Sequence, residues 1–230
     1  MKIIGLPIHY EFNGQKDTIY PTLIIMNNEL TLVDTGHKNF LPLITNEILK
    51  YSYQMEQLKN IIITHYDNDH IGSLYDFKKE YPWVKIIASE KESKYISGEV
   101  KSERLAQAEA LLENMSAEEI EFGKWFIQQL KSLKHVPVDQ TVRDGDLILD
   151  DQCRVIATPG HTSGHISLYI PSLNSVITGD AAVKEKDELV VANPQFCLNL
   201  EKAEQSLAKL KDLQAKNYYC YHGGKYVSSS

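Results

Sequence analysis

The sequence predicts an α/β protein of layered β-sheets covered by helices. Two observations lead there. Short runs rich in Ile, Val, Leu and Thr recur between turn residues, and segments with apolar residues at helical spacing fall between and after them. Each such element has a face to bury, and sheets stacked beneath helices bury them all. The chain has 230 residues, no internal repeat and no low-complexity linker, so one domain is expected over 1–230.

The elements follow in order. Tyr20 to Met26 and Leu30 to Val33 read as two strands joined by the turn residues Asn27-Asn28. Phe40, Leu43, Ile44 and Ile48 recur at helical spacing, which predicts a helix over 39–50. Ile61-Ile62-Ile63 is a short buried strand, and Lys85 to Ala88 is another after the break at Pro82.

Residues 100–134 differ from their surroundings and read as a helical insert. Leu105, Ala108, Leu112 and Met115 form one stripe. Ser116-Ala117-Glu118-Glu119 has capping-box spacing and predicts the start of a second helix, with Phe122, Phe126, Leu130 and Leu133 on one face. Two roles stay open for the insert: surface helices that cover a sheet, or an aromatic face that lines an acyl pocket or a homodimer contact.

From residue 138 the pattern is β again. Val138, Gln140 and Val142 alternate, Asp144-Gly145 is a turn, and Leu147-Ile148-Leu149 follows. Arg154 to Ala157, Ser167 to Ile170 and Ser175 to Thr178 are further strands. Asn199 is expected to cap a last helix with Leu200, Ala203, Leu207, Leu210 and Leu213 on one face, and Tyr218 to Tyr221 to form a final strand.

Bulk properties exclude several classes. Apolar content of 43% and charged content of 24% are those of an ordinary globular protein. A net charge of −7 and lysines scattered among glutamates argue against a nucleic-acid partner. No stretch reaches the ~20 apolar residues of a membrane span, and the N-terminus lacks the long apolar run of a secretory signal, so a cytoplasmic location is expected. Cys153, Cys197 and Cys220 are far apart and form no CxxC pair, so they read as reduced core or near-core residues and not as a zinc site.

The chemistry gathers after the strands. Thr64-His65-Tyr66-Asp67-Asn68-Asp69-His70 puts two imidazoles and two carboxylates at the mouth of the Ile61–Ile63 strand. Buried carboxylates are expensive unless paired or on a metal. Imidazole with carboxylate suits zinc, iron, manganese and related divalent ions. Thr158-Pro159-Gly160-His161-Thr162, Thr178-Gly179-Asp180 and Tyr221-His222-Gly223-Gly224 each place one more such residue after a strand, where functional groups concentrate.

In this order the chain resembles the metallo-β-lactamase fold superfamily. Its Asp-Thr-Gly, His-x-His-x-Asp-His, Pro-Gly-His-Thr, Gly-Asp and final histidine correspond to Asp34-Thr35-Gly36, His65 to His70, Pro159 to Thr162, Gly179-Asp180 and His222. The match runs from about residue 20 to 224. The resemblance implies an αββα sandwich of two mixed sheets flanked by helices, with the helical insert added. It implies two divalent ions, zinc first. One would be held by His65, Asp67 and His161, the other by Asp69, His70 and His222, with Asp180 between them. Asp69 would orient the nucleophile or pass a proton, and Asp34 would orient a ligand or a loop. His165 matches a position that is usually structural. His37 reads as an ordinary loop histidine near the pocket, and His9 and His135 as incidental.

One departure matters. The family's second histidine is Asp67 here, and two readings stay open: a tolerated ligand swap, since carboxylate oxygen binds these ions well, or a changed metal or weakened site. Three aspartates and a hydroxide would carry four negative charges against two divalent ions. The extra carboxylate is therefore expected to weaken the first metal as an electrophile and to favour Mn or Fe over Zn.

The function this implies is hydrolysis, with metal-bound hydroxide attacking a small ester, lactone or thioester. The missing signal disfavours a dedicated antibiotic lactamase. With eight residues after His222, the C-terminal substrate domain of glyoxalase II enzymes is expected to be missing, as is the large insertion of the nucleases. Three other readings stay open: a phosphodiester hydrolase, a non-haem iron or di-iron redox protein, and a metal-binding protein without turnover.

Overall fold

The structure is a computed structural model and describes residues 1–228 apart from 13, 114 and 117. The chain opens with β1 (Lys2–Gly5), the hairpin of β2 (Ile8–Phe12) and β3 (Gln15–Ile19), then β4 (Thr22–Met26) and β5 (Glu29–Val33). Next come α1 (Leu41–Lys50), β6 (Leu58–Ile63), the single turn α2 (Asn68–Ile71), α3 (Leu74–Glu80), β7 (Lys85–Ser89) and α4 (Glu90–Ile96). The insert supplies α5 (Glu103–Leu112) and α6 (Ile120–Lys131), and β8 (Gln140–Val142) follows. The second half holds β9 (Leu147–Ile148), β10 (Cys153–Ala157), β11 (Ile166–Ile170), β12 (Ser175–Gly179), the short pair β13 (Val183–Glu185) and β14 (Glu188–Val190), α7 (Leu200–Asp212), β15 (Asn217–Cys220) and β16 (Gly224–Val227).

Two six-stranded sheets form the body, in the orders β1-β4-β5-β6-β7-β8 and β16-β15-β12-β11-β10-β9. Both are mixed. In the first, β5 through β8 run parallel and β1 and β4 antiparallel. In the second only β12 and β15 pair in parallel. Asn27 and Asn28 both take positive φ, 50° and 64°, which is what a two-residue hairpin turn between β4 and β5 demands.

The two-residue period of the strands sorts their side chains into layers. Ile61 and Ile63 of β6 face the core beneath α1, α3 and α4, while Ile62 faces the other sheet. Leu23 and Ile25 against Ile24 repeat the pattern in β4. The inter-sheet core joins Ile3, Ile24, Val33, Ile62 and Ile87 to Val155, Ile166, Leu168, Ile170 and Ile177. On the far side Val176, Leu210 and Tyr218 pack α7 onto the second sheet. The architecture is αββα, as the sequence predicts.

The elements differ from expectation in a few places. The helix at the end of the insert begins at Ile120, and the Ser116 hydroxyl donates to the Glu119 carboxylate at 2.8 Å instead of capping it. Ala117, inside that capping sequence, lies outside the described residues. Val138 falls short of β8, and Leu149 leaves β9 with a φ of 54°. No sequence pattern announces β1, the β2–β3 hairpin, α2, α3, α4, the β13–β14 pair or β16. The last helix starts where Asn199 predicts, with its Oδ1 accepting from the Lys202 N–H at 2.9 Å.

Candidate metal centre

The parallel relation of β5 and β6, and the shared direction of β10, β12 and β15, bring five strand ends to one edge of the sandwich. The loops that leave this edge carry Asp34, His65 to His70, His161, Asp180 and His222. Asp34 anchors the first of them. Its carboxylate accepts from the Thr64 N–H at 2.9 Å, from the Thr64 hydroxyl at 2.8 Å and from His70 Nδ1 at 2.9 Å. The Thr35 hydroxyl and N–H both donate to the His70 carbonyl, at 2.8 and 2.7 Å. The contact with Asp34 keeps a hydrogen on His70 Nδ1, so Nε2 is the nitrogen free to ligate once it sheds its own proton.

Two donor groups result. His65, His161 and Asp180 can each place one ligand atom within 4.8 Å of the others, and so can Asp69, His70 and His222. Asp180 faces both groups. Its Oδ1 is 3.3 Å from His70 Nε2, and its Oδ2 is 3.5 Å from His161 Nε2 and 3.6 Å from His222 Nε2. Of the seven expected ligands, six fall in these groups. Asp67 stands beside the first, with Oδ2 3.0 Å from His161 Nε2 and 3.6 Å from His65 Nε2.

The donor chemistry fits divalent cations. His65 Nε2, His70 Nε2 and Asp180 Oδ1 are buried and make no hydrogen bond among the described residues, a costly arrangement unless a cation satisfies them. The electrostatics agree. Burial works against charged imidazole, yet the surrounding aspartates outweigh it and push His70 and His222 up, and His161 up to about 10. A cluster that draws protons onto buried imidazoles is a cluster that draws positive charge.

A family model described as the metallo-beta-lactamase superfamily matches residues 17–223. The chain belongs to the metallo-β-lactamase superfamily. It is a metal-dependent hydrolase of that family. A probable metallo-hydrolase of Bacillus subtilis, YflN, is 27% identical over 209 residues, 85% of this chain and 76% of the relative. The hydroxyacylglutathione hydrolase of Brucella anthropi is 49% identical over only 45 residues, 19% of this chain and 17% of that protein. Among solved structures, the metallo-beta-lactamase family protein TTHA1429 from Thermus thermophilus superposes with a TM-score of 0.73 at 22% identity, covering 98% of this chain and 74% of that one.

Two ionisable residues at this site escaped the sequence reading. Arg104, on the first turn of α5, clamps Asp67. Its Nε donates to Oδ1 at 3.1 Å and its Nη2 to Oδ2 at 2.7 Å. Burial pushes the Asp67 carboxyl up, but Arg104 and the two imidazoles outweigh burial and hold it well below the ordinary range. Glu92 of α4 is fully buried and ties two motif loops together. It accepts from the Tyr66 N–H at 3.0 Å, the Gly164 N–H at 2.9 Å and the Thr162 hydroxyl at 2.7 Å. Burial dominates its titration and pushes it up to about 8. The one available signal was a charged residue in line with Ala108 on an apolar helix face, in a chain with a surplus buried acid.

His165 has a definite task. Its Nε2 accepts from the Asp180 N–H at 2.9 Å, which leaves the hydrogen on Nδ1 to bond Thr158 Oγ1 at 2.8 Å. Gly179 makes room for this: its φ is 53°, and a Cβ there would sit 2.6 Å from His165 Nε2.

Asp67, Asp69, His161, Asp180 and His222 line a cavity of about 450 Å³, whose walls include Tyr10, His37, Arg104, Phe126, Phe196 and Asn193. His37 therefore reaches the cavity wall, with Nε2 3.3 Å from the Tyr10 hydroxyl. Through Tyr10, Asp17 and Phe126 the cavity adjoins a groove of about 470 Å³ between the β2–β3 hairpin and α6, which Phe12, Phe122 and Trp125 also line. Phe12 and Trp125 meet across it at 5.4 Å between ring centroids. Among the described residues no helix is long and apolar enough to cross a membrane.

Proposed function

We propose that this metallo-β-lactamase family member hydrolyses a small ester, lactone or thioester with an apolar acyl portion, at a centre of two divalent ions. One observation carries this: two His/Asp donor groups, with Asp180 facing both, open through Asp69, His161, Asp180 and His222 onto a cavity that adjoins an aromatic groove. The short match to a hydroxyacylglutathione hydrolase, whose name describes thioester cleavage, points the same way.

His65, His161 and Asp180 would hold one ion, and Asp69, His70 and His222 the other. The ions, zinc first among them, would supply Lewis acidity toward the carbonyl oxygen and lower the pKa of bound water towards ~7. The protein does the rest. Asp34 keeps His70 in the tautomer that presents Nε2, and His165 holds the backbone of Asp180 in register. Asp69 has the most open carboxylate of the site, its side chain 20% exposed against 6% for Asp180, so it is the group placed to orient the attacking water or accept its proton. Phe126, Phe122, Trp125 and Phe12 offer an apolar wall to an acyl chain, at ~0.8 kcal/mol for each methylene buried.

The test is direct. Protein purified without chelator is assayed for metals per chain, and its Zn, Mn and Fe forms are screened on ester, lactone, thioester and phosphodiester panels. Two ions per chain, turnover of acyl substrates and its loss in Asp69→Ala are expected. Unchanged turnover in both Asp69→Ala and His161→Ala, or turnover confined to phosphodiesters, would overturn the assignment. Reductant-dependent oxygen consumption by the iron form would replace it with redox chemistry.

A further inference from the structure

A guanidinium stays charged at any pH a protein survives, and burying one costs several kcal/mol unless its charge is met. Arg104 is only 2% exposed. The helix start fixes its place. Ser102 caps α5 by accepting from the Leu105 N–H at 3.2 Å, and the Arg104 N–H donates to the Tyr66 hydroxyl at 2.8 Å. Nη1 is taken by Gln107 Oε1 at 2.9 Å and by the Phe196 carbonyl. The remaining donors, Nε and Nη2, go to Asp67, one to each oxygen, and Nη2 also stands 3.4 Å from His161 Nε2. That is the side-on, two-bond geometry in which arginine binds carboxylate best.

Asp67 occupies the motif position where the family pattern has a neutral imidazole. Taken alone it would add a negative charge to the first donor group. Taken with Arg104 it adds none. We propose that Arg104 is a positioning residue that sets the charge of the first metal site, forming with Asp67 a neutral unit in place of the second histidine. This rests on the two-ion reading above. It removes the reason to expect Mn or Fe in preference to Zn, because the surplus carboxylate charge is cancelled within 3.1 Å of its source. It also gives the helical insert a task at the metal edge: α5 carries the counter-charge that the motif itself lacks.

The experiment reads metal binding, not turnover. Five proteins are compared: the parent, Arg104→Lys, Arg104→Gln, Asp67→His, and the double variant Asp67→His/Arg104→Gln. Each is counted for metals per chain, titrated with zinc against a chromophoric chelator, and offered zinc and manganese in competition. Arg104→Gln exposes the carboxylate charge and should shift preference toward manganese by about tenfold. Arg104→Lys loses the two-bond geometry but keeps the charge, and should stay within about threefold of the parent. Asp67→His leaves a buried cation beside the first site and should lose an ion. The double variant removes that cation and should regain it, with zinc held at least about tenfold more tightly than in Asp67→His. A plain bracing role for Arg104 predicts otherwise, with Arg104→Lys and Arg104→Gln alike and the double variant no better than Asp67→His. Either result overturns the proposal. A parent that holds one ion overturns the two-ion reading, while the Lys and Gln comparison on that single ion still decides this one. A parent that holds none overturns both. Metal-free melting curves separate loss of fold from loss of charge.

Discussion

Asp34 Oδ2 stands 2.9 Å from His70 Nδ1, and this contact decides which ring nitrogen His70 turns to the cavity. The same carboxylate also pins Thr64, the residue next to His65, so one acid orients two of the expected ligands. It does so from a left-handed backbone conformation, with φ of 65°, which aspartate tolerates better than most residues. Asp34→Ala should therefore lower metal affinity by about 10- to 100-fold, the usual effect of losing a group that orients a ligating histidine. Chelator competition checks it, and unchanged affinity would remove Asp34 from the metal-binding machinery.

Metal loading should depend steeply on pH. In the metal-free site His70, His161 and His222 are pushed above the ordinary imidazole value, His161 to about 10. A raised folded pKa gives stability that is complete below the unfolded value of ~6.5 and is lost as pH rises through the folded one. The metal-free protein should thus lose stability between pH ~6.5 and about 10. Metal binding runs the other way, since the imidazoles must shed protons to ligate. The gap in melting temperature between metal-loaded and chelator-treated protein should widen from pH 6 to pH 9. A gap that stays constant would mean the histidines do not bind the ions.

Glu92 gives a prediction of its own. Its carboxyl binds a proton more tightly in the folded chain, with burial moving it from 4.5 up to about 8. The stability it contributes is complete below 4.5 and disappears as pH rises through about 8. The largest slope is about 1.4 kcal/mol per pH unit. Glu92→Gln should flatten this dependence. It should also cost stability at pH 5, because an amide that turns its oxygen to Thr162 and Gly164 points its NH₂ at the Tyr66 N–H. Melting temperatures of the two metal-loaded proteins across pH 5 to 8 check both effects, and parallel curves would contradict the first.

What was legible in the sequence followed from chain geometry. Every expected ligand lies in the segment that follows a strand, with Asp69 and His70 on the single turn α2, so local pattern picked out His65 to His70, His161, Asp180 and His222, and topology then gathered them. Arg104 and Glu92 were illegible for the opposite reason. Their partners lie 37 and 26 residues away, across elements whose docking no local pattern specifies. The β2–β3 hairpin was missed because His9, Glu11, Lys16 and Asp17 give it little apolar signal, and it buries mainly Ile8 and Ile19. The charge count at Asp67 shows the consequence: it was made on the motif alone, and the guanidinium of Arg104 reaches Asp67 from the insert.

The groove offers the last test. Phe126 lines both the metal cavity and the groove, while Trp125 and Phe122 line the groove alone, and Phe122 remains 54% exposed. If an acyl chain lies there, each added methylene contributes up to ~0.8 kcal/mol, about fourfold in kcat/KM, until the groove is filled. Straight-chain thioesters or esters of increasing length should show that climb. Trp125→Ala should flatten it and leave the shortest acyl substrate almost unaffected, since Trp125 does not line the metal cavity. Phe126→Ala should flatten it and also slow the short substrate, because Phe126 lines the cavity as well as the groove. A chain-length profile that is flat in the parent, or identical in parent and Trp125→Ala, would place the acyl group elsewhere.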